Sequence, residues 1–228
     1  MKKIISLLLA LCCTCVSALA AGKVNVAQES FIHLADEYSN RYYCYAKVEN
    51  TGDKPIKVNA GVLEVYNAEG DAIHSSEWIN AHARYLQPGE YTYVRVNEYM
   101  DDLTLVPDDH LLTVTGRSDN DYANVRYPVE TKLELGVEGD WATYNYMYAT
   151  VTNNTEETVY NLNLVMALLD AEGNILYLYN NGLYEVGLTP GSSLTFRQNL
   201  PSDFMKYFEA NSLVPASVDA IAYIEIEQ

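Results

Sequence analysis

Cationic residues are scarce in this chain: 14 Lys and Arg stand against 31 Asp and Glu, for a net charge of −17. A surface of that sign repels phosphate backbones and anionic lipids, which argues against nucleic-acid binding and peripheral membrane binding. It is compatible with cations, basic partners and neutral glycans. Histidine is equally sparse. His33, His74, His82 and His110 are scattered, and none lies at a zinc-ligand spacing from another His, Cys or Glu. No G-x-S-x-G elbow, P-loop or dinucleotide fingerprint occurs, so no cofactor and no catalytic activity are expected. Carboxylate pairs for acid/base work are uninformative, because 31 acidic residues always supply pairs.

Cysteine is nearly absent beyond the start of the chain. Lys2 and Lys3 precede an apolar run from Ile4 to about Val16, and Ala18-Leu19-Ala20 supplies small residues where a signal peptidase cuts. Residues 1–20 therefore read as a secretory signal, and the protein as exported to an extracellular or periplasmic place in the cell envelope. An uncleaved anchor would need a longer apolar run. Lipidation would need a small residue before the acylated Cys, whereas Leu11 precedes Cys12 and Thr14 precedes Cys15. Cleavage removes Lys2 and Lys3, taking the charge from −17 to −19, and removes Cys12, Cys13 and Cys15. No membrane span is expected in the mature chain. Cys44 alone remains, so no internal disulfide can form and stability must come from packing. Cys44 reads either as a reactive thiol or as a small apolar core residue. The second copy described next has Met147 there, which favours the core.

The chain repeats itself. "VYNAEGDAI" (65–73) returns as "LLDAEGNIL" (168–176), and aligning Gly70 with Gly173 sets an offset of 103. "YCYAKVEN" (43–50) then lies over "YMYATVTN" (146–153), "LQPGE" (86–90) answers "LTPGS" (188–192), and "LVP" recurs at 105–107 and 213–215. Four ordered anchors indicate a tandem duplication. The polar stretch "RSDNDYANVRYP" marks the boundary, giving domains 21–123 and 124–228.

Within each unit the hydrophobic period is two. Cys44, Ala46 and Val48 alternate with Tyr43, Tyr45 and Lys47, and Met147, Ala149 and Val151 alternate with Tyr146, Tyr148 and Thr150. That is the signature of a half-buried antiparallel strand. Leu164, Met166 and Leu168 alternate with the equally apolar Val165, Ala167 and Leu169, which predicts a strand buried on both faces. Asn67 to Gly70 and Asp170 to Gly173 have the chemistry of a type I turn followed by a bulge. Pro88-Gly89 and Pro190-Gly191 suit the centre of type II turns. "LPSDFMKYFEANSLVP" predicts a short helix present only in the second copy, with Ser202 as N-cap and Phe204, Tyr207 and Phe208 at helical spacing. Such an insertion would plug an end of the unit or supply a contact surface. Together these features predict an all-β protein of two tandem antiparallel β-sandwiches, the second with a short inserted helix.

"LEVYN" (63–67) and "MALLD" (166–170) resemble relaxed forms of the F-x-L-Y-D segment of bacterial FxLYD domains, and "YAKVENTGDKPI" resembles that family's strand, Asn-containing turn and strand. Leu63 and Met166 replace the Phe, Tyr survives as Tyr66 and Asp as Asp170. The resemblance implies immunoglobulin-like sandwiches on exported bacterial proteins and carries no catalytic residues.

Calcium has two acid-rich stretches to consider, "MDDLTLVPDD" (100–109) and "DNDYAN" (119–124), neither with an Asp-x-Asp-x-Asp-Gly loop. The most distinctive abundance is tyrosine, 20 residues against 4 Phe and 2 Trp. Tyr43 and Tyr45 in one unit and Tyr144, Tyr146 and Tyr148 in the other are expected on the outward face of a strand, where they are the candidate ligand- or partner-binding residues. Tyr offers an apolar ring and a hydroxyl at low entropic cost, which suits recognition of proteins or sugars. It also has high β-propensity and stabilises sheets through cross-strand pairs. Trp78 and Trp141 read as core, rim or ligand platform. The expectation is a noncatalytic interaction or adhesion module for an unknown protein or cell-envelope partner. A carbohydrate-binding module using exposed Tyr and Trp is the alternative.

Overall fold

A computed structural model describes residues 23–228; the expected signal at 1–20 lies outside the described residues. The chain is all-β with one short helix among the described residues, and its strands form two antiparallel β-sandwiches. The first contains β1 (Val24–Ala35), β2 (Asn40–Asn50), β3 (Ile56–Tyr66), β4 (Ala72–Ser76), β5 (Asn80–Ala81), β6 (Tyr85–Leu86), β7 (Tyr91–Tyr99) and β8 (Asp109–Ser118). One sheet has the order β1-β2-β7-β5; in the other, β3 pairs with β8 along one edge and with β4 and β6 along the other. The second sandwich contains β9 (Tyr122–Tyr127), β10 (Val129–Glu138), β11 (Thr143–Thr152), β12 (Leu162–Leu169), β13 (Ile175–Leu183), β14 (Ser193–Asn199), helix α1 (Ser202–Ala210) and β15 (Ser217–Glu227). Its sheets are β10-β11-β14 and β13-β12-β15-β9. Since β8 pairs within the first sandwich and β9 within the second, the chain crosses between them at residues 119–121, just ahead of the expected 123/124 boundary.

The duplication is geometric as well as textual. Gly70 has φ +83° and its N–H donates to the Asn67 carbonyl at 3.0 Å; Gly173 has φ +87° and donates to Asp170 at 3.2 Å. Only a glycine takes that left-handed conformation without strain, and the strand register shifts just beside each turn, as a bulge requires. A second shared device is a buried asparagine. The Asn50 amide donates to the carbonyls of Lys54 and Leu86 and accepts from the Gly52 N–H; Asn153 donates to Glu157 and Leu188 and accepts from the Thr155 N–H. Each ties the turn after the second strand of its unit to the segment before the Pro-Gly turn, and each satisfies backbone groups that burial would otherwise leave unpaired.

Cys44, Ala46 and Val48 point into the first core with Leu63, Val65 and Val94, and Met147, Ala149 and Val151 into the second. The Tyr43, Tyr45 and Tyr93 face of the first sandwich is not open. It joins the second sandwich's core residues in one continuous apolar cluster. Residues 164–168 of β12 are buried on both faces, as their composition predicts. Helix α1 reinforces the junction: Phe204 packs edge-on against Tyr43 and Tyr177, with ring centroids 4.8 Å apart in each case. The helix begins at Ser202, but its N-cap is Pro201, with no side-chain cap hydrogen bond; the expected Ser202 cap is corrected to the first helical turn. A proline there restricts φ and presets the entry to the helix.

Polar groups fix the alignment of the sandwiches. The Tyr91 and Tyr93 hydroxyls both donate to one carboxylate oxygen of Asp219, at 2.7 and 2.6 Å. Burial, together with that carboxylate, pushes both phenols well above their ordinary range. Arg84 pairs with Glu225 at 3.1 Å, Arg126 donates to the Tyr91 carbonyl at 2.6 Å, and Asn124 donates to the Tyr85 carbonyl at 2.5 Å. His82, beside the buried Ala83, finds no hydrogen-bond partner for Nε2. Burial, with Arg95 adding to it, pushes its imidazole down to about 4. An unfolded His titrates near ~6.5, so below that pH the unfolded chain takes up a proton that the folded chain refuses. The stability that neutral His82 contributes is therefore complete above pH ~6.5 and is lost as pH falls towards 4. The urea midpoint is expected to drop across that window, and His82→Gln to flatten the drop.

Candidate functional site

The five tyrosines expected to form binding faces separate into two groups. Tyr43 and Tyr45 stand on the side of β2 opposite Cys44, as the alternation requires, but they are only 7% and 1% exposed. Their expected role as an open recognition surface is corrected: the second sandwich covers them. Tyr45 meets Tyr177 edge-on at 6.4 Å, and the Leu178 backbone hydrogen-bonds its hydroxyl.

Tyr144, Tyr146 and Tyr148 remain half-exposed on the outer face of β10-β11-β14. Strand pleating puts every second residue of β11 on this face, so the rings line up with centroids 5.8 and 5.9 Å apart. Pairing with the neighbouring strands turns this line into a grid. Lys132, Tyr148 and Arg197 form one cross-strand row, and Glu134, Tyr146 and Asn199 the next. The Arg197 guanidinium lies 4.9 Å from the Tyr146 ring centre, and the Lys132 ammonium 5.9 Å from that of Tyr148. Lys132 pairs with Glu134. The Tyr148 hydroxyl also donates to Glu134, which raises the phenol above its ordinary value; Lys132 first, and then Tyr148, hold the carboxyl below its own. Among the described residues Arg197 has no carboxylate partner, although the chain is strongly acidic. Beyond Tyr148, a shallow hollow of about 610 Å³ is floored by Glu130, Thr150 and Thr195.

The β10–β11 hairpin extends the grid. Its turn closes through a 3.0 Å hydrogen bond from the Gly139 N–H to the Ala142 carbonyl, and Tyr144 packs so closely on Gly139 that a β-carbon there would lie 2.7 Å from the ring. Trp141, at the turn, is 94% exposed. Trp78, between β4 and β5, is also in solvent, so neither tryptophan belongs to the core. The cationic neighbours Lys132 and Arg197 were invisible to a strand-by-strand reading, because strand register, not sequence distance, brings them to the tyrosines.

The acid-rich stretches weighed for calcium use their carboxylates locally. Asp102 accepts from the N–H and hydroxyl of Thr104, and Asp119 accepts from the Asp121 N–H. Among the described residues, the potential metal ligands that converge as a group of three are Glu29, Cys44 and His110. No helix among the described residues is long and apolar enough to cross a membrane.

No protein-family model matches the chain, and no curated protein matches it. The site's chemistry therefore rests on its geometry.

The two tyrosine groups should respond oppositely to truncation. Tyr45→Ala opens a cavity at the junction and is expected to cost about 3–5 kcal/mol. Tyr146→Ala on the open face, which loses only ring and guanidinium contacts at the surface, should cost about 1 kcal/mol or less. Urea denaturation of the two variants measures both.

Proposed function

We propose that this protein is a noncatalytic, exported binding module of the bacterial cell envelope, related to FxLYD-type immunoglobulin-like domains, and that it recognises a protein partner through the outer face of β10-β11-β14. The observation that carries this reading is the half-exposed grid of Tyr144, Tyr146 and Tyr148 flanked by Arg197, with a solvent-exposed Trp141 in the adjoining β10–β11 turn. Aromatic rings and arginine dominate the energetics of protein interfaces, because they bury large areas and still offer directional hydrogen bonds. A buried tyrosine face needs no ligand to account for it; among the described residues an open one, near an exposed tryptophan, is not covered by another sheet or helix.

Arg197 gives the partner a chemical requirement. A guanidinium held over a ring and lacking a carboxylate suits an acidic or carbonyl-rich group, which it can bind through paired hydrogen bonds. The acidic surface elsewhere repels other acidic proteins and so confines such a contact to this face. The N-terminal Lys-Lys, apolar run and Ala-Leu-Ala pattern support the export part of this reading. A neutral glycan is the second reading, favoured by three rings in line along one strand.

Immobilised protein exposed to envelope extract, and separately to a panel of soluble glycans, tests the reading. A protein component should be retained, and retention should fall at least about tenfold in Tyr146→Ala and in Arg197→Ala. Both variants should melt like the parent. Retention of a glycan lost in Tyr146→Ala would establish the second reading instead, and undiminished binding by both variants would place the interface elsewhere.

A further inference from the structure

Cys44 is the thiol left among the described residues, and its surroundings are not those of an ordinary core cysteine. The Glu29 carboxylate lies 4.0 Å from its sulfur and 2.6 Å from Nε2 of His110. The three ligand atoms lie within 4.8 Å of one another. They come from β1, β2 and β8, so both sheets of the first sandwich contribute, at the edge where β1 approaches β8.

The duplication supplies an internal control. In the first sandwich Glu29 pairs across from Ala46, and His110 across from Val65. The matching registers in the second sandwich are Thr131 opposite Ala149 and Val218 opposite Leu168, with Met147 at the place of Cys44. There the same junction is closed by packing and by one hydrogen bond, from the Thr131 hydroxyl to the Val218 carbonyl at 2.7 Å. Thr, Met and Val satisfy the structural demands of these positions. In the first copy all three are replaced together by residues that can ligate a metal, with Cys44 buried, His110 half-buried and Glu29 exposed at the sandwich edge.

We propose that Glu29, Cys44 and His110 form a three-ligand site for a divalent transition metal of the zinc class. Thiolate, imidazole and carboxylate are the donor types that borderline-soft ions such as Zn²⁺ accept together, whereas calcium and magnesium require oxygen throughout. In a four-coordinate zinc site such donors sit roughly 3.3–3.6 Å apart. The Cys44 sulfur and the Glu29 carboxylate, 4.0 Å apart, must close by about 0.5 Å, and Glu29 and His110, 2.6 Å apart, must part by about 0.7 Å to admit the ion. Cys44 is 1% exposed, whereas the His110 and Glu29 side chains are 23% and 27% exposed. The ion would be held by protein on one side and would keep a position open to solvent on the other, the arrangement of a three-ligand site. Phe31 stacks on the His110 ring at 4.6 Å and 21°, fixing the imidazole plane. Burial and the Glu29 charge keep the Cys44 thiol protonated in the metal-free protein. Binding would release that proton to solvent as the sulfur–metal bond forms.

Co²⁺ is the probe, added to the full chain with Cys12, Cys13 and Cys15 changed to Ser so that Cys44 is its sole thiol. The expected result is a near-ultraviolet thiolate-to-cobalt charge-transfer band with four-coordinate visible bands, saturating at one equivalent and lost on adding Zn²⁺. Cys44→Ser should remove the charge-transfer band, and His110→Ala and Glu29→Gln should each weaken cobalt binding at least about tenfold. Zn²⁺ should raise the melting midpoint of the parent and not of His110→Ala. Because His110 and Glu29 lie at the sandwich edge, their variants decide the matter even if Cys44→Ser folds poorly. No thiolate band at saturating Co²⁺, or cobalt affinity unchanged in His110→Ala, overturns the proposal. Neither outcome touches the partner face on the second sandwich.

Discussion

The first sandwich has a sheet whose two faces are both apolar enough to require cover, and the second sandwich supplies the outer cover. Tyr43, Tyr45 and Tyr93 would be poor residues to leave packed against water in such density. Set against β12, β13, β15 and α1, they become the centre of a cluster that runs without a break into the second core. Phenols at a junction also keep a polar handle, and the pair of hydroxyls on Asp219 shows its use. The hydroxyls spare the carboxylate the cost of partial burial, and the carboxylate fixes the register of one sheet on the other.

The differences between the copies follow from this junction. On β3 the outward position Glu64 carries a charge, whereas its counterpart on β12 is the buried Ala167. Helix α1, which the first copy lacks, places Phe204 between Tyr43 and Tyr177, so the insertion supplies contact surface. Once the junction has consumed one tyrosine face, the equivalent β11 face of the second copy is left open with Arg197, Lys132 and Glu134 around it. The two copies thus present one tyrosine face that holds the molecule together and one that is left in solvent. At the Glu29, Cys44 and His110 junction the difference runs the other way: the first copy carries a carboxylate, a thiol and an imidazole where the second has Thr131, Met147 and Val218.

Much of this was readable from the residues. The period-two strands, the Asn/Asp-Gly and Pro-Gly turns and the repeat itself are local signals, and local sterics decide them. The junction left one trace, the uninterrupted apolar run of β12, which predicts burial on both sides without saying what covers it. The alternation of Tyr43 and Tyr45 is indistinguishable from that of Tyr146 and Tyr148, so exposure could not be told apart until the packing partner was known. The metal-ligand cluster and the Arg197 contact escaped for a shared reason. Their members come from different strands, 15 to 81 residues apart, and only strand pairing and the packing of one sheet on another bring them together.

The central claim is that the outer face of the first sandwich is built into the core of the second, so that the two behave as one cooperative body. Differential scanning calorimetry of the protein tests this most directly. A single transition whose calorimetric enthalpy equals its van 't Hoff enthalpy is the predicted result. Two resolved transitions, with the first sandwich melting independently of the second, would contradict the account and return Tyr43 and Tyr45 to solvent.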